Sequence, residues 1–205
     1  MTARIGLRER NKREKLRRIK AAAYELFSER GFDATTVSEI AKRARVGFGT
    51  CFAYARDKRD MLFLLFTEEL AEINERPFGS IDRTQPLIEQ LIAVFGPNYE
   101  LFARNPPLSR LLLREWTFAL ADTAERRSVP DRGAYIHRLA ELIAHAQSDG
   151  YVEPSASSEL IAEMLYATYT GAVRQWLRAE HPTAAAGIAT LRAMLALQIS
   201  GIAQH

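Results

Sequence analysis

The chain has 205 residues, of which 47% are hydrophobic and 26% charged, with a formal net charge of +3: the composition of an ordinary globular protein, long enough to bury a core as one domain or two small ones. Its single cysteine, Cys51, excludes an intramolecular disulfide and a thiolate metal site within one chain. The basic N-terminus lacks the apolar run and cleavage site of a signal peptide, and the longest uninterrupted apolar run, MLFLLF at 61–66, is too short to cross a bilayer, which reads as a soluble, cytoplasmic protein.

The charge is unevenly placed. Residues 1–60 hold 16 Lys and Arg against 8 Asp and Glu, a net of +8, whereas residues 61–205 hold 12 against 17, a net of −5. Basic residues are densest in RERNKREKLRRIK at 8–20. Such a run is either a solvated tail or an arm that neutralises nucleic-acid phosphates, releasing condensed counterions.

In chain order, Ile19, Ala22, Ala23, Leu26 and Phe27 share one helical face, and Gly31 ends that first helix. Thr36 and Glu39 stand in the T-x-x-E order of a capping box, which predicts a second helix from Val37 to about Ala44 with Ile40, Ala41 and Ala44 inward. The turn RARV, with Val46 plugging the corner, leads to a short third segment after Gly47. A longer helix, a tight turn and two short helices outline a helix-turn-helix. A fourth helix is expected from Arg56 or Asp57 to about Arg76, broken by Pro77 and Gly79. Further helical runs cover roughly 84–104, 107–121, 129–149, 155–180 and 184–203, separated by Pro- and Gly-containing breakers. No period-two pattern persists long enough for a strand, so the fold class is all-α.

The run AAAYELFSERGFDATTVSEIAKRARVGFGTCFAYARDKRDML, residues 21–62, resembles the DNA-binding domain of TetR-family transcriptional regulators. The likeness rests on the alanine-rich first helix ending L-F-x-x-x-G-F, the T-T-V-x-x-I-A of the second, the V-x-x-G-T of the third, and Lys58. Downstream it is one of layout: six more helices, a G-Y-V-E turn after the seventh, and Gly171 and Trp176 in the eighth. It implies residues 1–60 as a helix-turn-helix domain with a basic arm, and 61–205 as a helical effector-binding and dimerisation domain.

The resemblance makes the third segment a recognition helix with its N-terminal residues in the major groove. Gly47 and Gly49 would let the backbone approach DNA, and Phe48 would either lie on a thymine methyl or pack into the core. Thr50 can donate to a base or phosphate, Tyr54 and Lys58 fall at phosphate-contacting positions, and Thr36 and Ser38 meet the backbone or groove edge. Arg45 stands where the family typically has glycine. Gly47 replaces the usual capping serine, Phe52 a tyrosine and Ala55 a bulky aromatic, so base preferences do not transfer. Cys51 is either packed against the first helix or a redox sensor.

The aromatic residues of the later helices are core by default, and a few can line a ligand cavity between helices. The resemblance places such a pocket among the fourth, fifth, seventh and eighth helices, with Phe66, Phe95, Tyr99, Trp116, Tyr166 and Tyr169 as walls and His137 or Arg174 as polar anchors. The occupant would be a small apolar or aromatic effector. His137 and His145 have no neighbouring ligands in sequence for a metal, and no cofactor is implied. Met164, Ala167, Thr168, Gly171 and Ala172 of the eighth helix, with Leu191, Met194, Leu195, Ile199 and Ile202 of the ninth, would form a homodimer through a four-helix interface, or serve packing within one chain.

The expectation is a homodimeric repressor that binds a palindromic operator in double-stranded DNA and is released by an effector. Rival readings are an all-α enzyme, for which no nucleophile with a base and no paired carboxylates are found, and a DNA-binding factor controlled by a protein partner or acting structurally.

Overall fold

A computed structural model describes residues 6–119 and 131–202, with side chains at 117–119 and 202 left aside. Among the described residues there are nine helices and no strand: α1 Leu7–Arg30, α2 Val37–Ala44, α3 Phe48–Phe52, α4 Lys58–Ser80, α5 Leu87–Ala103, α6 Pro106–Ala119, α7 Arg132–Ser148, α8 Ser158–Trp176 and α9 Ala184–Ile202. They fall into two compact units. One comprises the chain through Glu68 with the segment from Arg114, the other Glu69–Leu113 with the chain after residue 130.

In the first unit the expected face of α1 is buried: Ile19, Ala22, Ala23, Leu26 and Phe27. Gly31 ends the helix at φ 82°, its N–H donating to the Phe27 carbonyl. Thr35, almost fully buried, donates its hydroxyl to the carbonyls of Gly31 and Leu26, at 2.8 and 3.2 Å, and so ties the loop to the end of α1. The capping box forms as expected: Glu39 N–H donates to Thr36 Oγ1 at 3.2 Å and Thr36 N–H to Glu39 Oε2 at 2.9 Å. Arg45 ends α2 in the left-handed region, φ 54° and ψ 48°, alone among described non-glycine residues in having positive φ. That conformation costs an L-residue about 1–2 kcal/mol. The start of α4 is fixed by Asp57, whose carboxylate accepts from Asp60 N–H at 2.7 Å.

The second unit packs α7 on α8, α8 on α9 and α5 on α9 around Leu91, Val94, Phe95, Tyr99, Leu139, Ile143 and Leu165. Two expected boundaries move. Pro77 does not break α4, which runs on to Ser80: the proline itself is buried, and Phe78 meets the Tyr135 ring edge-on at 5.6 Å and the Arg138 guanidinium at 5.0 Å. Tertiary contact there offsets the lost N–H. α8 is shorter than 155–180, because Ser157 caps its start and the Trp176 indole donates to the Thr183 carbonyl at 2.9 Å, folding the chain back toward α9.

α9 decides one open alternative and adds one unexpected feature. Leu191 and Leu195 are fully buried within their own chain, as is Ala172 of α8 to within 3%, so these three belong to the intrachain core rather than to a free face. Conversely, the window Ala184–Gly201 is long and apolar enough to cross a bilayer by length and composition alone, although polar residues interrupt it, yet only 17% of it is buried. Leu197, 76% exposed, lies on its open side.

Candidate nucleic-acid interface and aromatic core

The third helix is five residues long, and Gly47 caps it with no side-chain hydrogen bond. Its apolar anchor is Cys51, fully buried. Burial raises the thiol pKa, so Cys51 is a packing residue here. Phe48 is 54% exposed and Phe52 44%, their rings edge-to-face at 4.9 Å. Phe48 therefore stands out of the core, and an aromatic pair faces solvent beside the glycine pair. Gly47, Gly49, Ser38, Thr36 and Arg45 are exposed, Thr50 half-buried.

Around this surface several polar groups are already engaged. The Thr36 hydroxyl donates to Glu39 Oε2 at 2.8 Å while accepting from its N–H, so its proton is committed to the cap. Glu39 is held below the usual carboxylate range, first by the Thr36 hydroxyl and then by the Thr36 N–H, with Arg30 adding a weaker pull. Tyr54 donates its hydroxyl to the Lys12 carbonyl at 3.1 Å, joining the residues after α3 to the basic stretch of α1. Lys58 donates to the carbonyls of Phe32 and Asp33 at 2.7 and 3.2 Å, its ammonium 4.5 Å from the Phe32 ring centre. Both residues thus brace the segment around α3, a role the sequence did not reveal.

From Leu7 the basic run is helical rather than a loose tail, with Arg13 paired to Glu9 and Arg17 to Glu14 along its surface. Another feature missed in sequence is Glu115 of α6. Its side chain is 7% exposed and meets Arg59 Nε of α4 at 2.5 Å and Arg114 Nε at 3.1 Å. The Arg59 contact is close but off the hydrogen-bond axis of Oε2.

In the second unit, four expected pocket residues come together. Phe95 stacks on Tyr169 at 4.5 Å and 13°, Tyr99 meets Tyr169 edge-on at 6.3 Å, and Tyr166 lies 6.0 Å from Tyr169. Tyr135 and Trp176, not foreseen as lining, complete the cluster: Tyr135 contacts Phe95 and Tyr166, and Trp176 sits 4.9 Å from Tyr99. Tyr135 could have been found from its helical register with Leu139 and Leu142. The Tyr99 and Tyr135 hydroxyls are buried and have no hydrogen-bond partner among the described residues. Burial raises the pKa of both, and of Tyr169, keeping these phenols protonated donors.

The remaining candidates lie elsewhere. Phe66 is buried and Trp116 half-buried within the first unit. His137 does not serve as a polar anchor in this arrangement: its side chain is 74% exposed and faces Glu141 one turn on, at 3.6 Å. Arg174 is exposed on α8, and its charge reaches the Tyr166 phenol. No group of three metal-ligating side chains occurs among the described residues.

Comparison with known proteins agrees with this arrangement. The family profile described as bacterial regulatory proteins, tetR family, matches residues 19–65. The HTH-type transcriptional regulator HbdR of Aromatoleum sp. (strain CIB) is 45% identical over 164 residues, spanning 80% of this chain and 71% of that protein. The crystal structure of the transcriptional regulator FadR from Bacillus subtilis, in complex with stearoyl-CoA, superposes with a TM-score of 0.65 at 25% identity, over 91% of this chain and 98% of that one. FadR of Thermus thermophilus, a TetR-family transcriptional repressor in complex with lauroyl-CoA, does so at 0.59 and 27%, over 88% and 93%. The chain belongs to the TetR family of bacterial regulatory proteins and is a DNA-binding transcriptional regulator.

Proposed function

We infer that the protein is a homodimeric repressor that holds a palindromic operator in the absence of ligand and leaves it when a small molecule enters the aromatic core. Residues 1–60 act as the reader and 61–205 as the effector-binding and dimerising part. The protein works by binding rather than catalysis, in the cytoplasm where its DNA lies. What carries the effector reading is the Phe95–Tyr169 stack bordered by the unpartnered Tyr99 and Tyr135 hydroxyls: an aromatic surface with two protonated donors suits an apolar or aromatic group bearing a hydrogen-bond acceptor. The stearoyl-CoA and lauroyl-CoA complexes of the two FadR relatives support an acyl thioester as the chemical class.

The dimer reading is supported by the open apolar side of α9 and by Ala167 and Gly171, exposed on α8. A five-residue reader touches few base pairs, and a second copy about 34 Å away raises affinity and specificity together. Binding of effector would shift α4, whose N-terminus at Lys58 lies beside the reader. A coupling of about 1–3 kcal/mol changes operator occupancy several-fold to a hundredfold.

The test is capture of sheared genomic DNA from the source organism by the purified protein, followed by release with straight-chain and aromatic acyl-CoA thioesters. Recovery of a few fragments sharing a palindrome, released by one class of thioester, is the expected result. Broad recovery without a shared site overturns the operator reading. A shared site indifferent to every thioester, with no thermal stabilisation by them, overturns the effector class.

A further inference from the structure

Beside the reader, between α1 and the C-terminal end of α2, lies an open cleft of about 350 Å³ bordered by Arg17, Arg18, Glu25, Arg43 and Arg45. Four guanidinium groups stand there against Glu25 in the lining and Glu14 and Glu29 beside it, which leaves the cleft net positive. Two of the arginines are spoken for: Arg43 reaches Glu25 at 2.9 Å and Glu29 at 3.5 Å, and Arg17 reaches Glu14 at 2.7 Å. Among the described residues Arg18 and Arg45 form no ion pair within contact distance, and Arg18 Nε is enclosed without a hydrogen-bond partner, although the Arg18 charge is felt at Glu14. An enclosed guanidinium N–H with nothing to donate to calls for an anion.

The backbone at Arg45 points the same way. The residue occupies a left-handed position that glycine fills without strain, and it keeps an exposed arginine there. Phe48 follows three residues later, so the two Cα atoms are within about 11 Å of one another along the chain. A cation that close to the first residue of the recognition helix reaches the edge of the groove the helix enters.

We propose that this cleft seats a DNA backbone phosphate flanking the major-groove contact, held by Arg18 and Arg45. This rests on α3 being the reader. It adds a contact that the short helix does not itself supply, and explains the retention of arginine at a strained turn.

The experiment measures binding to the captured operator over a range of salt for the full-length protein and for Arg45→Gly, Arg18→Gln and, as a matched loss of one exposed charge, Arg76→Ala. Each cleft variant is expected to bind about 3–10-fold more weakly at physiological salt and to flatten the log K against log salt slope by about 0.9, with base preference unchanged. Ethylation of one phosphate beside each half-site should weaken wild type but not Arg45→Gly. Arg45→Gly should melt no lower than wild type, separating lost contact from lost fold. Slopes and ethylation patterns equal to those of wild type, or to those of Arg76→Ala, overturn the proposal. So does stabilisation by pyrophosphate with unchanged DNA slopes, which would make the cleft a small-anion site. If wild type recovers no shared palindrome, the operator reading fails, but the slopes on mixed-sequence DNA still decide the cleft.

Discussion

Gly187, near the start of α9, tests the packing of the second unit at one atom. A Cβ placed there would lie 2.4 Å from Cδ1 and 2.6 Å from Cε1 of Tyr99, and 3.0 Å from Cδ1 of Trp176. Ordinary carbon contacts are about 3.5–4.0 Å, so the Tyr99 ring must retreat by about 1 Å. It has little room: the ring is fully buried, with Trp176 at 4.9 Å and Tyr169 at 6.3 Å. Overpacking of this kind costs about 1–3 kcal/mol, and a clash against a boxed-in ring belongs at the upper end. Alanine returns about 1 kcal/mol through helix propensity. Gly187→Ala should therefore destabilise by about 2 kcal/mol, lowering the melting temperature by roughly 4–8 °C for a chain of this length. Circular dichroism melts at fixed protein concentration measure it, with Gly201→Ala, which meets nothing within 4 Å on the same helix, expected to show no loss. A Gly187→Ala protein that melts at or above wild type would falsify the contact between α9 and the Tyr99–Trp176 pair.

Glu115→Gln should cost about 1–2 kcal/mol, less than a typical broken buried pair, because the Arg59 and Arg114 left behind are 43% and 55% exposed and stay hydrated; an unchanged melting temperature would remove Glu115 as a tie between α4 and α6. Cys51 should resist a thiol-disulfide reagent at neutral pH until the protein unfolds, since it is fully buried and its pKa is raised; fast labelling of the folded protein would refute its role as packing. Lys58→Met should both lower stability by about 1–2 kcal/mol, through the lost bonds to the Phe32 and Asp33 carbonyls, and flatten the salt slope, since the ammonium has a third N–H for a phosphate; a normal melt rejects the brace and a normal slope the phosphate contact. Gly171→Ala fills a position open within the chain and should strengthen α8 while weakening self-association in sedimentation; undiminished dimerisation would move the interface away from that face.

The first unit was legible because its signals are local. Gly31, the Thr36–Glu39 box and the apolar spacing of α1 and α2 act within one or two turns, and each formed where the sequence put it. The exposure of Phe48 could not be read the same way, since the same ring at the same spacing serves core or surface. Pro77 misled for the converse reason. Its local preference ends a helix, but Phe78 one residue on has a partner in α7 that only the tertiary structure supplies. Leu191 and Leu195 were legible as an apolar face, though not as one turned toward α5 and α8 of the same chain rather than outward.

The aromatic core shows how sequence can name the members of a cluster and still miss its chemistry. Phe95, Tyr99, Tyr166 and Tyr169 recur at helical spacing, which any packed bundle produces, so periodicity alone does not separate lining from filler. What separates them is the hydroxyl. At Tyr99 and Tyr135 phenylalanine would fill the same volume without burying a donor, and an unpaired buried hydroxyl costs about 1–3 kcal/mol. Desolvation keeps both phenols protonated across the physiological range, so each remains a donor rather than a charge. On the proposed effector reading, that cost would be recovered when a ligand acceptor met the donor, with the surrounding rings holding its apolar part. Replacing either tyrosine by phenylalanine should therefore leave the fold as stable or more so and weaken the response to effector, a pairing of signs that an ordinary core tyrosine would not give.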